Sequence, residues 1–166
     1  MAQDIAVLWD SSKQVGDLQY KDGDLLREDG LTTAVLLSLF CDSRARDESG
    51  ITDPDAKRGW WGDLLEPVQN VAGLGSNLWL LGRDKATQNA MNLAEQYIRE
   101  ALQWMLDDGV VQDIQVDVSA QGPVETRVMA VSIRLSFASG ATQVIEFADL
   151  WTAQFSDTYY LNTGAK

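Results

Sequence analysis

From Lys85 to Asp107, apolar residues recur three or four apart, and just beyond Asp108-Gly109 that spacing gives way to strict alternation. A switch from period 3.6 to period 2 across one glycine means a helix followed by strands. Ala90, Leu93 or Ala94, Tyr97, Ala101, Trp104 and Met105 form the expected buried stripe, and Ile98 and Leu102 widen it. Gly109 is placed to end the helix in a left-handed conformation. After it, Val110, Ile114, Val116 and Val118 mark a strand whose other face carries Gln115 and Asp117. Gly122-Pro123 breaks the chain. Val131, Ile133, Leu135 and Phe137 then alternate with Ser132, Arg134 and Ser136. Ser139-Gly140 turns the chain, and Val144, Ile145 and Phe147 begin the return. The spacing predicts a β-hairpin with one apolar face.

The first third holds shorter pieces. Ile5, Val7 and Trp9 alternate as a strand, and Leu18 and Tyr20 suit a second one before an Asp22-Gly23 turn. Leu31 to Cys41 is apolar over much of its length and reads as a buried helix entered near Thr32 or Thr33. Residues 42–57 are polar and hold Gly50 and Pro54, a surface loop. Residues 73–77 read as irregular, and Asn77 to Leu81 as a short apolar run ended by Gly82. The fold class is therefore α+β: a small antiparallel or mixed sheet, two main helices and a C-terminal β-hairpin. Residues 1–150 are expected to form one domain and residues 151–166 a polar tail bearing Trp151, Phe155, Tyr159 and Tyr160.

Several chemistries are set aside by composition. The chain has no histidine and one cysteine, so histidine-based catalysis, a histidine zinc site and an internal disulfide are all excluded. Cys41 follows Leu39 and Phe40 and reads as a buried structural thiol. A net charge of −12 argues against nucleic acid as partner. No segment approaches the ~20 apolar residues of a membrane helix, and the N-terminus lacks the pattern of a signal peptide. Asp53-Pro54-Asp55 lacks the glycine and distal glutamate of a calcium loop. Gly73-Leu74-Gly75 lacks the third glycine and the preceding strand of a dinucleotide site. Arg44 and Arg46 read as solvated charges. The acidic pairs Asp22/Asp24, Asp53/Asp55 and Asp107/Asp108 sit at turns, where carboxylates are solvated, and none defines a catalytic pair. No cofactor or metal is expected.

The segment Lys57-Arg58-Gly59-Trp60-Trp61-Gly62-Asp63 carries the most information about function. Adjacent side chains do not share one environment, and the flanking glycines allow a tight backbone excursion. One tryptophan is expected to anchor the loop while the other meets a neighbouring element or another subunit. The alternative is a loop plugged wholly into its own domain.

In order, the helix Leu31–Cys41, Arg58-Gly59-Trp60-Trp61-Gly62-Asp63, the run Ser76 to Leu81, the helix end Ala101 to Gly109 and the strand Val110 to Val118 resemble the Mu-like phage tail family. That family is related to the baseplate wedge and sheath-initiator proteins of contractile tails. The resemblance covers roughly Ile5 to Leu150, and Gly-Trp-Trp-Gly-Asp is its most specific part. It implies a non-enzymatic virion protein, made in the host cytoplasm, at the junction of baseplate and tail. The implied partners are other wedge subunits, the tail sheath protein and the tube or hub, with neither nucleic acid nor membrane involved. The C-terminal hairpin would template strand exchange with the first sheath ring. Partner-binding residues on this reading are Arg58 to Asp63 together with Val131, Ile133, Leu135, Phe137, Val144, Ile145 and Phe147. Related wedge proteins carry Glu-Pro-Arg after the long helix; Met105 to Gly109 stands there instead, so contacts attributed to that motif do not transfer. Some relatives have been called lysozyme, which keeps a cell-wall hydrolase as the alternative function.

Overall fold

The computed structural model describes residues 4–10, 15–18, 20–28, 30–60, 73–81, 87–123, 127–147 and 150. Its N-terminal part is a set of short antiparallel pairs. Strand β1 (Asp4–Ile5) pairs with β6 (Arg27–Glu28), β2 (Val7–Asp10) with β3 (Val15–Leu18), and β4 (Tyr20–Lys21) with β5 (Asp24–Leu25). Asp22 and Gly23 both have positive φ, 54° and 87°, as a two-residue type I′ hairpin requires.

Helix α1 (Thr32–Phe40) has no side-chain cap from its own N-cap residue, Leu31. Its orphan donors are satisfied from elsewhere in the chain. Leu31 N–H donates to Gln143 Oε1 at 3.0 Å, and Thr33 N–H donates to Glu28 Oε1 at 2.6 Å. Gln143 Nε2 donates to Thr32 Oγ1 at 3.0 Å, while Thr33 Oγ1 accepts from Val7 N–H at 3.1 Å. One helix end thus ties the N-terminal strands to the C-terminal sheet.

Helix α2 (Gln88–Asp107) starts at a local cap, Thr87, whose hydroxyl accepts from Ala90 N–H at 3.2 Å. Its buried line is Ala90, Ala94, Ile98, Leu102 and Met105. The expected stripe is therefore rotated. Ile98 and Leu102 form its centre, Leu93, Tyr97 and Ala101 are half-buried, and Trp104 lies on the flank with its Nε1 donating to Ser38 Oγ at 3.1 Å. An indole must place its N–H as well as its ring, and Ser38 on α1 offers the acceptor. Gly109 closes the helix at φ 68°.

The sheet behind α2 has the order β7 (Asp113–Gln121), β8 (Val128–Ser136), β9 (Thr142–Phe147), all antiparallel. Strand β7 begins later than the alternation from Val110 suggests. Val111 N–H still bonds Met105 O at the helix end, and Gln112 N–H is the first to reach β8, at Ser136 O. The register Val116↔Ile133↔Ile145 stacks three apolar residues on the face that α2 covers. The core runs from Val35 and Leu39 of α1 through α2 to Met129, Ile133, Leu135, Ile145 and Phe147 of the sheet. Each such side chain contributes roughly 1.5–3 kcal/mol by leaving water. Phe40 and Phe147 meet edge to face at 5.5 Å and join α1 to β9. The segment 42–57 carries two short 3₁₀ turns, Asp47–Ser49 and Pro54–Lys57, and buries Ala45, so it is more structured than a plain surface loop.

Candidate interaction surfaces

The first surface is the Arg58-Gly59-Trp60 segment. Arg58 and Gly59 have φ of 52° and 103°, two successive left-handed residues that reverse the chain. Positive φ is uncommon outside glycine, so Arg58 is held there by its side chain's contacts. Its guanidinium lies 4.5 Å from the centroid of the Trp79 ring and 2.7 Å from Asp42 Oδ2. Stacking of this kind at an exposed site contributes about 0.5–1 kcal/mol. Arg44 reaches the same turn, with Nη1 donating to Arg58 O at 3.4 Å. A Cβ on Gly59 would stand 2.9 Å from Arg44 Cβ, so the close approach needs glycine. Trp60 emerges from this turn with 43% of its surface exposed. Trp61, Gly62 and Asp63 lie outside the described residues.

Beneath the turn, residues 41–43 lie alongside Ser76 in a parallel bridge. Ser76 N–H donates to Cys41 O and Ser43 N–H donates to Ser76 O, each at 2.9 Å. Ser76 Oγ donates to Leu39 O at 2.6 Å and accepts from Leu78 N–H at 3.2 Å. Ser43 O accepts from Trp79 Nε1 at 2.9 Å. Trp79 is thus pinned before Arg58 stacks on it. The loop is closed further by Ala45 N–H bonding Lys57 O and by the Lys57–Asp47 ion pair, which holds the Asp47 carboxyl below its ordinary pKa through hydrogen bond and charge. Asp42, Ser76 and Trp79 were not legible as parts of this site; Ser76 and Trp79 stand out in sequence only as members of the run Ser76 to Leu81 that carries the family resemblance.

The second surface is the edge of the C-terminal sheet. Strand β8 is paired on both sides, so Val131, Ile133 and Leu135 belong to the central strand and are buried. Ile145 and Phe147 are buried as well, and Phe137 is half-buried in the turn after β8. Val144 points the other way and is 42% exposed, in a row with Thr142 and Glu146. Among the described residues, no strand pairs with the outer side of β9. What β9 offers a partner is backbone hydrogen bonding and this outer row, not the buried Ile145 and Phe147. The first surface lies on the loop over α1's C-terminal end and the second on β9, whose Phe147 meets Phe40 at that same end of α1. Among the described residues, no group of three potential metal-ligating side chains occurs.

Comparison with known proteins adds the lineage. No solved structure matches. The baseplate protein gp46 of Escherichia phage Mu is 41% identical over 114 residues, 68% of this chain and 74% of that protein. The Mu-like prophage FluMu protein gp46 of Haemophilus influenzae is 34% identical over 149 residues, 90% of this chain and 98% of that protein. The family model described as phage protein GP46 matches residues 31–142. That span takes in α1, the tryptophan segment, α2, β7, β8 and the first residue of β9. On this evidence the chain belongs to the phage protein GP46 family.

Proposed function

We propose that this protein is a structural component of a phage or phage-like tail baseplate, located in the virion, and that it is not an enzyme. The observation that carries the reading is its 41% identity to the Mu protein named as a baseplate protein. On the same reading it joins baseplate to tail tube and sheath, beside other wedge subunits, and starts the first sheath ring by accepting a strand at β9. The outer side of β9, which no strand pairs with among the described residues, supports this, because strand addition gains backbone bonds without demanding close side-chain matching. Trp60 is the member of the tryptophan pair assigned to an intersubunit contact, since an exposed indole on a pinned turn has the character of an interface anchor.

Amide hydrogen exchange on the purified protein, alone and with tail sheath protein added, tests the strand exchange. Alternate amides along β9 should become protected when sheath protein is present. Unchanged exchange throughout β9 in a mixture that does form sheath would sink that step. The hydrolase alternative is tested by turbidity of cell-wall suspensions. Clearing that vanishes when one Asp or Glu becomes its amide would replace the structural reading with a catalytic one.

A further inference from the structure

The C-terminal sheet has two outer strands, and the phase of its hydrogen bonds tells which backbone groups each turns outward. Ser136 O accepts from Gln112 N–H, so Ser136 faces β7, while Phe137 N–H donates to Ala141 O, so Phe137 faces the β9 side. Alternation then turns the even-numbered residues of β8 toward β7 and the odd-numbered ones toward β9. On β9, the N–H and C=O of Thr142, Val144 and Glu146 therefore point away from the sheet. On β7, those of Ile114, Val116, Val118 and Ala120 do. Among the described residues, no strand pairs with either outer side. By backbone alone, the nine-residue β7 would accept an added strand better than the six-residue β9.

One side chain reverses that order. Arg99 reaches from α2 to β7, and its Nη1 donates to Ile114 O at 3.1 Å. That carbonyl is the first of the outward row. Arg99 Nε and Nη2 each lie 3.0 Å from Glu95 Oε1, one helical turn back, so the guanidinium is fixed from behind. A strand added to β7 would run about 4.8 Å from it. A guanidinium bonded to an outward carbonyl stands in that lane. To enter, the strand must first break a hydrogen bond strengthened by charge. Among the described residues, no side chain does the same to the outward row of β9.

We propose that Arg99 closes the β7 edge against pairing with a second copy of this chain, and so leaves β9 as the strand-accepting edge of the sheet. The second clause rests on the strand-exchange reading given above; the first stands on the geometry of Arg99. An unpaired edge is a template for pairing with another chain, and a charged side chain laid against it is one way to prevent this. The copy excluded is another β7, because two antiparallel edges of the same strand are self-complementary about a twofold axis.

The test uses the full chain without sheath protein. Sedimentation velocity over a range of concentrations compares the parent with Arg99→Ala and with Arg99→Gln, which keeps most of the side chain's packing but loses its charge. Both variants should associate more tightly than the parent by about tenfold or more, the factor set by one hydrogen bond to a charged group. Arg46→Ala is the control, because it removes the same charge from the ion pair with Glu100 on the same helix and leaves β7 untouched. It should behave as the parent does. Amide exchange locates the contact: Ile114, Val116, Val118 and Ala120 should gain protection with concentration in the Arg99 variants alone. Misfolding would instead lose protection across the sheet. Association unchanged in both Arg99 variants would overturn the proposal. So would association equal to that of Arg46→Ala, or new protection on β9 in place of β7. With no sheath protein present, such a failure would leave strand exchange at β9 standing, and failure of strand exchange would leave an Arg99 effect standing.

Discussion

Replacing Gly75 by Ala should be among the most damaging single-methyl changes available to this chain. Gly75 sits at φ 105°, where an L side chain is strained whatever the space around it. An added Cβ would stand 2.3 Å from Cys41 O, 2.7 Å from Cys41 C and 3.0 Å from Ser43 N. All three are backbone atoms, so no side chain can swing aside. The 41–43 segment must move, and with it the two bonds between Ser76 and Cys41 and Ser43, each 2.9 Å long. Left-handed strain costs about 1–2 kcal/mol. Loss or distortion of two partly buried backbone bonds adds about 1–3 kcal/mol. The sum, about 2–5 kcal/mol, corresponds to a fall in Tm of roughly 5–15 °C for a chain of this size. Gly50→Ala is the matched control: its φ is 77°, but nothing lies within 4 Å of the added methyl. It should show the strain alone, about 1–2 kcal/mol. Urea titrations of both variants, read by circular dichroism, separate strain from collision. If Gly75→Ala loses no more than Gly50→Ala, the closure of residues 41–43 on Ser76 contributes nothing, and the account of how Trp79 is held fails with it.

Three further outcomes follow from the same geometry. Gln143→Ala removes both trans contacts to the start of α1 and should cost about 1–3 kcal/mol in a thermal melt, an effect that Thr142→Ala, on the exposed face of β9, should not share. Leu102→Ala should cost about 2–5 kcal/mol by opening a cavity under α2, whereas Leu37→Ala on the exposed face of α1 should stay within about 0.5 kcal/mol. Burial, and then the charge of Asp42, raise the Cys41 thiol above its ordinary value of 9.0, so iodoacetamide at pH 8 should modify the folded protein more slowly than the urea-unfolded chain. Because the folded pKa is the higher one, that contribution to stability is complete below about pH 9 and is lost as pH rises through the folded value, which urea midpoints at pH 8 and pH 10 would register.

Local pattern revealed most of the elements and little of how they are fastened. Helix α2 and the β8–β9 hairpin announce themselves because period and alternation depend only on near neighbours. Asp22-Gly23 is legible for the same reason, since a two-residue hairpin needs positive φ twice. The centre of α2's stripe was displaced because burial is decided by what lies opposite. Leu102 faces the core, while Trp104 is drawn to the flank by one hydroxyl on α1. The capping of α1 was beyond any local reading, because one of its partners stands 112 residues away on β9. The tryptophan segment was recognisable as unusual, but its support comes from Asp42, Ser76 and Trp79, and nothing in sequence ties these residues to it. The lineage was legible through the Gly-Trp-Trp-Gly-Asp order, which is a resemblance between chains rather than a consequence of physics.

Helix α1 connects three parts of the fold. Gln143 fastens its first turn to β9, Ser76 holds its last carbonyls beneath the Arg58–Trp60 turn, and Ser38 fixes Trp104 at the seam with α2. Nine residues with no charged side chain therefore link an edge strand, the turn that bears Trp60 and the contact with α2. Any change that loosens α1 should disturb all three contacts together, and its effect on assembly would say nothing about which contact matters. Changes confined to exposed side chains do discriminate. Glu146 reports on the β9 row and Trp60 on the turn. If the two are independent docking sites, their exposed-residue variants should weaken assembly additively. Strong departure from additivity would mean that α1 transmits strain between them, and would make this helix the working part of the protein and not merely its fastening.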